Sequence, residues 1–146
     1  NAKRILVTGC PIGGVLDKVV NTIETNGGVV VCFENCGGIK PVRSMVDENA
    51  ADMVGAIADR YLDIGCSVMT PNLKRMEMIP ELLQEFKIDG VIEVVLQACH
   101  TYNIETKSIK RLVNNAGISY MAVETDYSQS DLGQIKTRIS AFIEML

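Results

Sequence analysis

Four short runs, KRILVTG at 3–9, GVVVCFE at 28–34, GVIEVVLQ at 90–97 and ISYMAVET at 118–125, are nearly continuous in apolar and β-branched residues. Runs of that kind are strands covered on both faces, as in a parallel sheet, rather than half-wetted strands with strict alternation. Between them the period changes to that of a helix. Val15, Val19, Val20 and Ile23 share one face of a segment that stops at Asn26-Gly27, a favourable C-terminal stop. Segments 50–63 and 73–87 follow, the second with Pro80 as a candidate kink. Segment 101–115 sets Ile104, Ile109, Leu112 and Val113 inward and stops at Gly117; segment 131–146 does the same with Leu132, Ile135, Ile139, Phe142 and Ile143. Strands alternating with helices require right-handed βαβ crossovers, so the expected fold is an α/β three-layer domain, flavodoxin-like or Rossmann-like, with a parallel sheet of about four strands.

The 146 residues, 47% hydrophobic and 22% charged, are enough for one domain with one core. A net charge of −4 with both signs interspersed offers no cationic stripe for nucleic acid or an anionic membrane. No apolar run approaches the roughly 20 residues that span a bilayer, and no charged-then-apolar leader opens the chain, so the expected location is cytoplasmic. Asn1-Ala2, with no methionine, reads as a cleavage scar before a domain at 3–146. Five cysteines, an odd number in a composition unlike that of small secreted domains, point to reduced thiols.

In parallel sheets of this kind ligands bind beyond the carboxyl ends of the strands, where loops and helix N-termini converge. Cys10-Pro11, Asn35-Cys36-Gly37-Gly38, Ala98-Cys99-His100 and Asp126-Tyr127-Ser128 follow the four strands. Cys32, inside VVVCFE, reads as core. Cys36 and Cys99 are candidate functional thiols, since helix N-termini favour thiolates and loop glycines give access. Cys66, in GCSVMTPN, either turns to the same edge or packs. Cys36, Cys66 and Cys99 are 30 and 33 residues apart, which disfavours a compact zinc knuckle. Thiols delivered singly from separate loops suit a bulky soft cofactor, above all an iron–sulfur cluster.

His100, the single histidine, reads as shaping the site rather than as a base for Cys99, because adjacent residues usually point apart. Glu124 and Asp126 read as a cap and a solvated or paired acid, Ser128 and Ser130 as caps, and Arg138 as a partner for either acid. TGCPIGG at 8–14 and NNAG at 114–117 resemble signatures of short-chain dehydrogenases, and Glu34 ends strand two where an acid could hold a ribose. Against that reading, Val15 stands where a glycine is needed, no YxxxK pair exists, and NNAG ends a helix instead of following a strand.

Taken in order, RILVTGCPIGGVLDKV, FENCGGIKP, AIADRYLDIGCS, IDGVIEVVLQACHTYNIE and ETDYSQSDLGQIKTRISAFIE resemble the carboxyl-terminal domain of the 2-hydroxyacyl-CoA dehydratase D-component family. They are most similar to its double-cubane-cluster branch of ATP-dependent reductases. The resemblance implies a C-terminal cluster-binding domain of a longer two-domain subunit, with the cluster in the cleft between the domains. It also implies a [4Fe–4S] or double-cubane iron–sulfur cofactor, a dimer partner subunit and a separate ATP-dependent activator that delivers a low-potential electron. Dehydratase members remove water from a 2-hydroxyacyl-CoA; the double-cubane branch reduces small molecules. By position, Cys36, Cys66 and Cys99 match the family's cysteine-bearing loops as iron ligands, with Cys10 left as a spare.

Without the other half of the ligands this chain is expected to be metal-free and inactive alone. The competing reading is a nucleotide- or acyl-CoA-binding module without redox chemistry, in which the glycines of CPIGG and CGG cradle phosphate. The substrate pocket is expected to be built in part outside this domain.

Overall fold

The structure, a computed structural model, describes residues 2–146; of the Asn1-Ala2 stretch, Asn1 lies outside the described residues. The elements in order are β1 (Lys3–Gly9), α1 (Leu16–Thr25), β2 (Gly28–Glu34), α2 (Met53–Leu62), α3 (Leu73–Glu85), β3 (Gly90–Leu96), α4 (His100–Asn115), β4 (Ser119–Thr125) and α5 (Leu132–Glu144). Short 3₁₀ turns lie at Gly13–Val15 and Lys40–Val42. The strands pair in parallel in the order β2-β1-β3-β4, giving the three-layer α/β fold, with the flavodoxin-type reversal of direction between β1 and β3.

Alternate strand residues serve opposite faces. Ile5, Val7, Ile92 and Val94 pack with Val19 and Ile23 of α1 and Ile139, Phe142 and Ile143 of α5. Leu6, Cys32 and Val91 pack with Ile79, Leu82 and Leu83 of α3 and Ile109 and Val113 of α4. Between Ile5 and Leu6 the β1–β2 register slips by one residue, so that Ile5 faces Val30 while Leu6 faces Cys32 and Thr8 faces Glu34. This bulge sets Glu34 beside Thr8, whose other neighbour across the sheet is Glu93. Cys32 is a buried core residue, as its surroundings in the sequence require.

Several expectations are corrected. The second helix is shorter than 50–63, because Asp52 caps it by accepting a hydrogen bond from the Gly55 amide at 2.9 Å. Pro80 does lie within α3, as the sequence placed it. Ile104 is 79% exposed, and the inward place in the first turn of α4 belongs to Tyr102. Leu132 is also exposed. α2 buries none of its residues and turns Val54, Tyr61 and Leu62 outward. Among the described residues no helix is long and apolar enough to cross a membrane.

Candidate functional site: cysteine loops over a buried ion cluster

Each cysteine loop has its own local cause. At the end of β1, Gly9 has a φ of 107°, and a Cβ there would lie 2.3 Å from the Val94 carbonyl oxygen, so only glycine lets the two strand ends approach. The next amide, of Cys10, donates to that same carbonyl at 2.8 Å. Cys10 consequently turns inward and is buried, its Sγ accepting the Leu96 amide at 3.3 Å. After β2, the Asn35 carboxamide oxygen accepts the Gly37 amide at 3.0 Å. Gly38 lies so close beneath the Phe33 carbonyl that a Cβ would stand 2.1 Å from its oxygen. The chain doubles back there and leaves Cys36 exposed.

After β3, Ala98 holds a φ of 65°, a left-handed conformation costly for any residue with a Cβ, and Cys99 becomes the N-cap of α4. Cys66 lies half-buried between α2 and α3. Its neighbour Ser67 donates to the Thr101 hydroxyl at 3.2 Å, and Thr101 in turn lies 3.6 Å from the Cys99 Sγ. The loops of Cys66 and Cys99 are therefore tied together through one threonine.

Tyr102 lies buried among the cysteine loops. The buried Lys40 ammonium donates to its hydroxyl at 3.3 Å, and the Arg75 guanidinium carbon lies 4.9 Å from its ring centroid. Lys40 is paired with Glu34 Oε1 at 2.8 Å. Arg75 reaches Glu34 at 3.2 Å, Glu93 at 2.9 Å, Glu105 at 2.6 Å and the Thr8 hydroxyl at 2.8 Å. Thr8 also donates to Glu34, and Tyr120 donates to Glu93. Lys40, Arg75, Glu34 and Glu93 are all fully or almost fully buried, so every charge has an opposite charge in contact, as low dielectric demands.

The thiols divide electrostatically. Burial pushes Cys10 up to about 12, with the Leu96 amide opposing and Cys99 adding to the rise. Cys99 moves the other way: its own partial burial raises it, but the amide of Tyr102, the hydroxyl of Thr101 and the Cys10 thiol together bring it below the ordinary thiol range. The Tyr102 phenol is driven well above its usual range, first by burial and then by the nearby charges of Cys36 and Glu34, with Cys66 contributing as well. Cys99, the N-cap of α4, sits one turn before Tyr102.

The other sequence candidates fall elsewhere. His100 is exposed at the start of α4. Glu124 is exposed, and the pKa of Asp126 is lowered by Ser128, first through its hydroxyl and then through its amide, which Asp126 accepts at 2.8 Å. Ser128 and Ser130 bond to one another, and the N-cap of α5 is Asp131. Arg138 pairs with neither acid: it donates to the Ala122 carbonyl at 2.7 Å, because α5 packs alongside the strand rather than over its end. A Cβ at Gly14 would lie 2.5 Å from the Tyr127 ring, so that glycine serves packing against the loop after β4. Glu34, positioned where an acid could hold a ribose, is instead enclosed by Lys40, Arg75 and Thr8.

Lys40, Arg75 and Tyr102 escaped the reading of the sequence. One signal was available: Glu93 interrupts the otherwise apolar GVIEVVL, and a carboxylate inside a buried strand needs a cation delivered from another element.

Among the described residues no group of three or more His, Cys, Asp or Glu side chains is arranged to hold a metal ion. The thiols are an open set rather than a closed single-ion site.

A flavodoxin-type α/β domain with cysteine loops at its carboxyl edge defines the class. The chain belongs to the family described as 2-hydroxyglutaryl-CoA dehydratase, D-component, which it matches over residues 1–146. It is 54% identical over 144 residues to the protein named "Putative dehydratase subunit YjiM" of Escherichia coli (strain K12), covering 98% of this chain and 37% of that protein. It is 27% identical over 145 residues to the (R)-phenyllactyl-CoA dehydratase beta subunit of Clostridium sporogenes, covering 99% of this chain and 38% of that subunit. The chain therefore spans less than two fifths of the length of these curated relatives.

Proposed function

We propose that this chain is the cluster-binding carboxyl-terminal domain of a dehydratase- or reductase-type subunit, contributing Cys36, Cys66 and Cys99 as thiolate ligands to an iron–sulfur group. The observation that carries this reading is that all three cysteine loops are tied to the start of α4, the Cys36 loop through Lys40 and Tyr102, the Cys66 loop through Ser67 and Thr101, and Cys99 as the N-cap. Soft thiols that are exposed or half-buried, and that close no single-ion site by themselves, suit a larger iron–sulfur group whose remaining ligands come from outside the chain. When bound, such a group supplies one-electron chemistry at low potential. The chain's own part is to hold the thiols, favour the Cys99 thiolate with α4 amides, and keep the floor beneath them dry and charge-balanced.

Family membership supports the wider setting: a longer subunit with a second domain, a partner subunit, and electrons supplied by an ATP-dependent activator. The 2-hydroxyacyl-CoA dehydratase reaction and the reduction of small molecules are both served by this arrangement. The phosphate-cradle alternative draws less support, since Gly14 and Gly38 are used for close packing and Glu34 is enclosed by cations.

Anaerobic reconstitution of the full-length protein with iron and sulfide tests the reading. Wild type should take up stoichiometric iron, and Cys36→Ser and Cys99→Ser should each lose most of it. Unchanged iron binding in both variants sinks the proposal.

A further inference from the structure

The order of α2 is not accounted for by the chain itself. A helix of 10 residues is shorter than the roughly 12–15 that hold together alone in water, so it needs an apolar face packed against something. α2 has such a face, and it points away from the body. At about 100° per residue, Met53, Ile57, Tyr61, Val54, Ala58 and Leu62 follow one another around one half of the helix. Of these, Val54 is 79% exposed, Leu62 70% and Tyr61 68%. The half turned toward the chain carries Gly55, Ala56 and Arg60 and is held by polar contacts. Arg60 donates to the Lys40, Pro41 and Ser44 carbonyls at 3.3, 3.0 and 2.6 Å. Val42 and Met45 before the helix, and Val68, Met69 and Leu73 after it, are exposed as well.

We infer that the outward face of α2 is a docking surface, covered by the part of the longer subunit that lies outside this chain. The curated relatives match 98% and 99% of this chain, yet the match takes up only 37% and 38% of their own length. Position favours the same occupant. Arg60 fastens α2 to the loop that follows Cys36, and Leu62 stands four residues before Cys66, so whatever covers α2 also stands beside two cysteine loops. On the iron–sulfur reading above, on which this choice of occupant rests, the remaining ligands come to that same edge from outside the chain. A lipid surface is the wrong chemistry. Membrane-lying helices carry Lys and Arg on the polar face, whereas α2 and its caps carry Asp52, Asp59 and Asp63 beside a single Arg60. The matching surface is accordingly apolar, with cations where it meets those aspartates.

Amide hydrogen exchange in the full-length subunit tests this, with wild type compared against the double variant Val54→Asp, Tyr61→Lys. Both side chains are exposed here, so the change leaves the core of this domain alone. An acid in the first turn and a base in the last also suit the helix dipole, so a solvent-facing α2 would be held as well or better in the variant. A docked α2 behaves in the opposite way. The amides of Ala56 to Leu62 should exchange roughly a hundredfold faster in the variant than in wild type, with those of α5 unchanged. Equal or slower exchange, a change spread equally over α5, or α2 amides already unprotected in wild type overturns the inference. So does a fall in the variant's oligomeric mass by light scattering, which would show that a second copy covers the face. Iron uptake is measured on the same wild-type protein. A subunit that takes up no iron, but whose α2 is protected and is released by the variant, fails the iron–sulfur reading and keeps the docking surface.

Discussion

The two faces of the sheet are built from the same strands and end differently. Against α1 and α5, β1 and β3 present Ile5, Val7, Ile92 and Val94 and stay apolar to the last turn of the strand. Against α3 and α4 they begin equally apolar, with Leu6, Cys32 and Val91, and two residues later present Thr8, Glu34 and Glu93 to Arg75. Both faces are buried, so the difference is one of chemistry at constant burial. The dry face gains free energy from every residue, about 25 cal/mol per Å² of apolar surface removed from water. The ionic end of the other face gains little net stability, because desolvating its charges offsets their attraction. What it provides is fixed charge directly beneath the cysteine loops.

Removing one member of the ion cluster should be the most damaging single change. Arg75→Met leaves Glu34 and Glu93 buried two strands apart with less countercharge, and a loss of about 3–5 kcal/mol is expected in urea unfolding. Adding Glu34→Gln and Glu93→Gln should recover most of it, since the whole cluster is far less valuable than its unbalanced remnant. On the dry face, Ile139→Ala creates a cavity at a fully buried position and should cost about 3 kcal/mol. If Arg75→Met proves milder than Ile139→Ala, the contrast drawn between the faces is wrong.

The dry face has its own buried cation in Lys18, which donates to the carbonyls of Asp126 and Ser128 and pairs with Asp131 at 2.7 Å. Burial opposes ionisation of Asp131, but Lys18 and the Thr125 hydroxyl outweigh it and hold its pKa below the usual carboxylate value. A folded pKa below the unfolded one means stability that is present above the unfolded value and lost as the pH falls through the folded value. Asp131→Asn should therefore cost about 1–2 kcal/mol at neutral pH, and the difference from wild type should shrink as the pH drops below about 4. Chemical denaturation from pH 6 to 3 measures it. A difference independent of pH would show that the carboxylate charge is not what holds the loop.

The smallest effect is expected at Ala98. Its left-handed backbone costs roughly 1–2 kcal/mol, and glycine would relieve that strain while adding unfolded-state entropy of about 0.4–1 kcal/mol. Ala98→Gly should stabilise the chain by less than about 1 kcal/mol in the same unfolding assay. A loss of stability would mean that the alanine side chain is packed usefully and that the loop before Cys99 is not strained.

The sequence by itself determined the layers, the parallel sheet and the strand boundaries, because these follow from the period of apolar residues. Ile5, Ile23, Ile92 and Ile139 could be assigned to the core from spacing alone, and Cys32 from the strand around it. It also determined that Cys36 and Cys99 stand at the carboxyl edge, since loops after parallel strands have nowhere else to go. Only the tertiary structure decided which way each thiol turns. Cys10 and Cys99 follow strands of the same kind, yet one is buried with its pKa pushed up to about 12 and the other caps a helix that lowers it. Only the tertiary structure, too, brought Arg75 and Lys40 to Glu34 and set Tyr102 over them, contacts between residues 6 to 62 positions apart. Periodicity reports whether a side chain is buried; it does not report which charge from another element meets it there, because that depends on the crossing of α3 over the sheet and on a one-residue slip in β2.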